Sequence, residues 1–133
     1  AMSKLTGQTT SNLTSVSQYA AIEALTGPQD SVDIMRQAFE ERLNTIYPLL
    51  CEVPGFEVVK PQGAFYLFPN VKKAMEMKGY TDVTDFTTAI LEEVGLALIT
   101  GAAWSARNVR LSYATDLDTL KEAVKTLESI YGK

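Results

Sequence analysis

The stretch Asn108-Val109-Arg110-Leu111-Ser112-Tyr113-Ala114 sets a charged fork into a strand-like alternation. At a period of two, Val109, Leu111 and Tyr113 share one face while Arg110 and Ser112 share the other. A guanidinium is planar and permanently charged, so it can grip a carboxylate through two parallel hydrogen bonds. A strand-borne arginine can also simply face water or sit in a structural ion pair. The Gly/Ala-rich segment Gly101 to Arg107 next to it lets backbone approach a ligand closely, and an arginine buried without an anion is unstable, so the anion-binding reading stands beside the bland one.

Other chemistries drop out by residue type. The sequence has no histidine, which removes Ser-His-Asp and Cys-His arrangements and the common zinc sites that this chain could assemble alone. No Gly-x-Gly-x-x-Gly or phosphate-loop pattern is present. Glu40-Glu41 and Glu92-Glu93 lie among polar residues and read as solvated helix faces. Cys51, the single cysteine, reads as a small buried apolar residue. Gly63-Ala64-Phe65-Tyr66 reads as a strand-starting turn with core aromatics, or as a backbone segment lining the Arg110 pocket. Trp104 is a core anchor or a cover over its loop.

These residues need elements to hold them. The first dozen residues, polar and small, suit a loop, with Ser11, Asn12 or Thr14 capping a helix that runs to about Thr26 and is closed by Gly27-Pro28. From Asp30 or Ser31 a longer helix carries Val32, Met35, Phe39, Leu43, Ile46 and Leu50 on one stripe. Pro48 should kink or end it, at a cost of about 3 kcal/mol. Phe56 to Val59 and Ala64 to Phe68 read as a hairpin around Lys60-Pro61-Gln62-Gly63. A short helix near Val71 to Lys78 precedes one starting at Thr81 or Asp82 and ending at Gly95. Leu96 to Thr100 suits a buried strand, and the last helix takes Thr115 as its N-cap with Leu117, Leu120, Val124, Leu127 and Ile130 on its apolar stripe.

Helices and short strands therefore alternate, giving an α/β or α+β domain with helices packed on a small, mostly antiparallel sheet. A chain of 133 residues that is 46% hydrophobic fits one domain with a real core. No apolar run reaches the roughly 18 residues that a membrane span needs, and no signal-peptide pattern opens the chain, so a cytoplasmic location is expected. With 16 acidic against 12 dispersed basic residues, nucleic acid is not an expected partner.

Four segments in order, Gln8-Thr9-Thr10-Ser11-Asn12, Ser15-Val16-Ser17-Gln18-Tyr19-Ala20-Ala21, Pro61-Gln62-Gly63-Ala64-Phe65-Tyr66-Leu67-Phe68 and Asn108 to Asp118, resemble bacterial aspartate aminotransferases. The resemblance covers essentially the whole chain. It implies the C-terminal small domain of a fold-type I pyridoxal-phosphate enzyme, with residues 1–30 leading in from a large domain. The lysine and the other groups that hold the cofactor would precede Ala1; Lys4 matches the lysine after that region. The implied activity moves an amino group between aspartate and 2-oxoglutarate in a homodimer, and this chain alone would be catalytically silent. Arg110 matches the arginine that binds the substrate α-carboxylate. Thr10, Ser11 and Asn12 match a loop that approaches the neighbouring subunit's active site, and the Gly63-Ala64 turn resembles a segment that closes over substrate.

Three positions depart from the family pattern. Leu13 stands where proline is common, Pro48 interrupts a helix, and the loop Gly101 to Arg107 is short and lacks a Phe-Gly step. The alternative implied by the missing cofactor lysine is a free-standing, non-catalytic binding module of the same fold.

Overall fold

A computed structural model describes residues 1–10 and 12–132. They group into two compact units, 1–35 and 36–133. The first unit opens with helix α1, Met2–Thr9, where a loop is expected. The threonines that argue against a helix here turn their hydroxyls onto carbonyls one turn back, Thr6 to Met2 at 3.0 Å and Thr9 to Leu5 at 2.9 Å. Helix α2, Ser15–Thr26, is capped by Thr14, whose hydroxyl accepts from the Ser17 N–H at 3.3 Å. Neither helix buries a residue, so Val16, Tyr19, Ile22 and Leu25 are exposed.

Helix α3, Asp30–Glu52, begins in the first unit and runs through Pro48 without ending there. Ile46 and Leu50, on either side of the proline, are completely buried. Burying such side chains stabilises by about 1.5–3 kcal/mol each, enough to offset the lost backbone bond. Cys51 is exposed rather than buried. It follows Leu50 by one residue, about 100° around the helix, and so falls off the apolar stripe.

In the second unit, strands β1 (Tyr66–Leu67), β2 (Ile99–Thr100) and β3 (Val109–Ser112) form an antiparallel sheet in the order β1-β3-β2. The expected hairpin between Phe56 to Val59 and Ala64 to Phe68 is not formed. Glu57 makes one isolated bridge with Asn70, while β1 pairs with β3 in the register Tyr66 with Ser112 and Leu67 with Leu111. Leu67, Val109, Leu111 and Tyr113 all belong to the buried core, so this pairing places apolar residues of β1 and β3 side by side on one buried face.

Three helices complete the unit: α4 (Lys72–Lys78), α5 (Val83–Val94) and α6 (Leu117–Tyr131). Asp82 caps α5 through the N–H groups of Thr84 and Asp85, and Gly95 ends it at a left-handed φ of 70°. The cap of α6 is Asp116, not Thr115: its carboxylate accepts from the Thr119 N–H at 2.9 Å and the Thr119 hydroxyl at 2.7 Å. Leu120, Val124, Leu127 and Tyr131 form the buried stripe of α6, with Ile130 only partly covered. Among the described residues, no helix is long and apolar enough to cross a membrane.

Candidate functional site

Arg110 is carried by the central strand. Ile99 pairs with it from β2, and Leu111 beside it pairs with Leu67 of β1, so the backbone under the guanidinium is held from both sides. Val109, Leu111 and Tyr113 are buried, Arg110 is half-buried and Ser112 is exposed, the alternation expected from the sequence. Arg110, Tyr66, Phe68 and Trp104 line a cleft of about 230 Å³. The guanidinium carbon lies 5.4 Å from the centre of the Tyr66 ring. Among the described residues Arg36 pairs with Glu40, Lys72 with Glu76 and Lys73 with Glu57, and no ion pair engages Arg110.

The loop from Gly101 to Arg107 forms one wall. The Trp104 and Ser105 N–H groups both donate to the Gly101 carbonyl at 2.7 Å, curling the loop tightly. Asn108 fastens it to the sheet: its side chain accepts from the Ser105 hydroxyl at 2.6 Å and donates to the Phe68 carbonyl at 3.1 Å. The Gly101 N–H donates to the Asn108 carbonyl at 2.9 Å. A Cβ on Gly101 would run into that same carbonyl oxygen and lie 3.2 Å from Phe68 Cζ, so a glycine is required by close approach. Trp104 is 70% exposed, which removes the core-anchor reading and leaves it as a wall of the cleft.

The turn before β1 faces a second, larger cavity. Gly63 and Ala64, with Phe39, Leu43, Lys60 and Tyr113, line a space of about 470 Å³. Ala64 holds a left-handed φ of 64° and its carbonyl accepts from the Tyr113 hydroxyl at 3.0 Å. Burial pushes the Tyr113 phenol above its usual pKa, which keeps the proton on this donor. The segment therefore divides: Gly63 and Ala64 line this cavity, while Tyr66 and Phe68 line the Arg110 cleft.

A half-buried guanidinium with no ion pair among the described residues, walled by three aromatic rings, suits a small organic carboxylate. The sequence matches the family model for aminotransferase class I and II over residues 1–127. The chain belongs to the class I and II aminotransferases. This aminotransferase chain is 72% identical over its whole length to an asparagine–oxo-acid transaminase of Streptococcus mutans and 52% identical to an aspartate aminotransferase of Bacillus subtilis, covering 34% of each. A crystal structure of an aspartate aminotransferase from Thermotoga maritima matches 98% of the chain with a TM-score of 0.81 at 36% identity, over 32% of its own length. The chain thus spans about a third of the length of the curated relatives it matches.

Of the other residues singled out from the aminotransferase resemblance, Thr10 follows α1 in extended conformation and its hydroxyl donates to the Thr6 carbonyl at 2.9 Å. Asn12 is exposed, and Ser11 lies outside the described residues. Thr10 and Asn12 belong to the first unit and Arg110 to the second. Sequence reasoning missed Asn108 as the clamp of the loop and Tyr66 as the ring beside Arg110. The cross-strand register that brings Tyr66 near Arg110 joins residues more than forty positions apart, and no local pattern encodes it.

Proposed function

We propose that the chain is the substrate-carboxylate-binding part of a longer pyridoxal-phosphate-dependent aminotransferase that moves an amino group between aspartate and 2-oxoglutarate. The observation that carries this reading is the half-buried Arg110 guanidinium, unpaired with any acid among the described residues, in an aromatic cleft. Two parallel N–H···O bonds would fix the α-carboxylate and so align the bond that is broken at the α-carbon. The aromatic walls would thin the water around the pair and strengthen it.

The cleft offers one cation and no amine for covalent attachment, so its residues fit a carboxylate and not the cofactor itself. Bound by the rest of the protein, pyridoxal phosphate would supply the electron sink. Arg110 reads only the α-carboxylate, which aspartate and asparagine share. The 72% identical asparagine–oxo-acid transaminase therefore favours asparagine as a second amino donor. A homodimer in the cytoplasm belongs to the same reading, with Thr10, Ser11 and Asn12 reaching the neighbouring subunit's site and this chain alone catalytically silent.

The test starts with the natural gene product, captured from its source cells, whose mass should lie well above 14.6 kDa. In that protein Arg110→Ala removes two charge-assisted bonds at about 1.5–3 kcal/mol each, so kcat/KM for aspartate should fall by roughly 100-fold or more. Kinetics unchanged by that substitution would remove Arg110 from the site.

A further inference from the structure

Arg110 must be held in place before an anion arrives, and the structure supplies a neutral neighbour for it. Tyr66 pairs with Ser112 across β1 and β3, and Ser112 is two residues from Arg110 on the same face. Tyr66 and Arg110 are thus diagonal cross-strand neighbours, a spacing within reach of an aromatic ring and a long side chain. The guanidinium carbon sits 5.4 Å from the ring centre. Phe65 also contacts the Tyr66 ring, edge to face at 6.0 Å and 87°. No hydrogen bond of the Tyr66 hydroxyl occurs among those of the described residues, so the ring and not the hydroxyl makes the contact.

We propose that Tyr66 is the positioning residue of Arg110, a holder that fixes the guanidinium through its π face while leaving the N–H donors free for a carboxylate. This rests on the reading of Arg110 as a carboxylate-binding group. An aspartate or glutamate in the same place would also compensate the charge, but it would occupy the donors and compete with every incoming anion. A ring quadrupole attracts the cation without using a single N–H. The holder therefore keeps the fork oriented and vacant.

The experiment uses the full-length protein to which the proposed function assigns this chain, labelled with nitrogen-15, with succinate as the probe and calorimetry as the readout of affinity. Tyr66→Phe should keep the wild-type affinity and the ring-shifted Arg110 Nε–H signal. Tyr66→Leu should move that signal toward the position of a solvated arginine and weaken succinate by about 2- to 30-fold. Pentafluorophenylalanine at the same position keeps the shape and reverses the ring electrostatics; it should bind as weakly as the leucine variant, and it covers the case in which leucine disturbs folding. A folded Tyr66→Leu protein with an unmoved Arg110 signal and unchanged affinity would overturn the proposal. Loss of the carboxylate reading looks different: succinate would bind wild type and Arg110→Gln equally or not at all. The Arg110 signal, which needs no ligand, still decides the role of Tyr66 in that case.

Discussion

Replacing Gly101 with alanine tests whether the loop and the arginine strand are mechanically one piece. The added Cβ would meet the Asn108 carbonyl group, with its carbon at 2.9 Å and its oxygen closer still, and would press on Phe68 Cζ at 3.2 Å. Both neighbours are constrained. The Asn108 carbonyl accepts the Gly101 N–H, and Asn108 holds Phe68 by its carbonyl, so neither can yield without disturbing the bonds that close the loop. Overpacking of this kind costs about 1–3 kcal/mol. The second unit, residues 36–133, has the size at which each kcal/mol moves the midpoint by about 5 °C, so Gly101→Ala should lower Tm by roughly 5–15 °C. Circular dichroism melts measure this, and Trp104 emission reports whether the loop has moved. Gly63→Ala is the control: nothing lies within 4 Å of its Cβ position and its φ is not left-handed, so it should be neutral or stabilising by up to about 1 kcal/mol. A Gly101→Ala melt matching wild type, or equal losses at both glycines, would refute the close-approach argument.

Leu127 is fully buried in the α6 stripe, and Leu127→Ala should cost about 2–5 kcal/mol in urea unfolding; a loss below about 1 kcal/mol would contradict its core position. The bonds from Thr119 to Asp116 hold its carboxyl down to about 2 from an ordinary 3.8. Because the folded value is depressed, this contribution is complete above the unfolded pKa and is lost as pH falls through about 2. The advantage of wild type over Asp116→Asn in thermal midpoint should therefore fade across that acid range, and a pH-independent difference would count against the cap. Gly7 sits inside exposed α1 with open space around it, so Gly7→Ala should raise far-UV helicity, by about 1 kcal/mol in helix propensity; unchanged helicity would argue that α1 does not form in solution.

Local periodicity made much of the site legible. The two-residue alternation around Arg110 is a property of seven consecutive residues, and it correctly sets Arg110 opposite Val109, Leu111 and Tyr113. The stripe of α6 and the stop at Gly95 are equally local. What stayed hidden is long-range. β1 takes β3 as its partner across more than forty residues, and this single choice cancels the hairpin and brings Tyr66 and Phe68 to the arginine. Pro48 shows tertiary packing overriding propensity, since the buried Ile46 and Leu50 hold the helix together around it. Thr115 and Asp116 are both competent caps by type. The one that reaches the Thr119 N–H is decided by backbone geometry at the turn, which composition does not contain. Cys51 was readable after all, because the helical stripe that ends on Leu50 already turns the next residue outward.

The exposure of Cys51 has a practical side. It is the chain's single thiol and Trp104 its single indole, and both lie in the unit of residues 36–133. One labelling reaction on the unaltered sequence thus creates a donor–acceptor pair with one end on the long helix and the other on the loop beside Arg110. Energy transfer between them is a built-in ruler, and mixing it rapidly with a carboxylate would show whether that loop moves, without a single substitution.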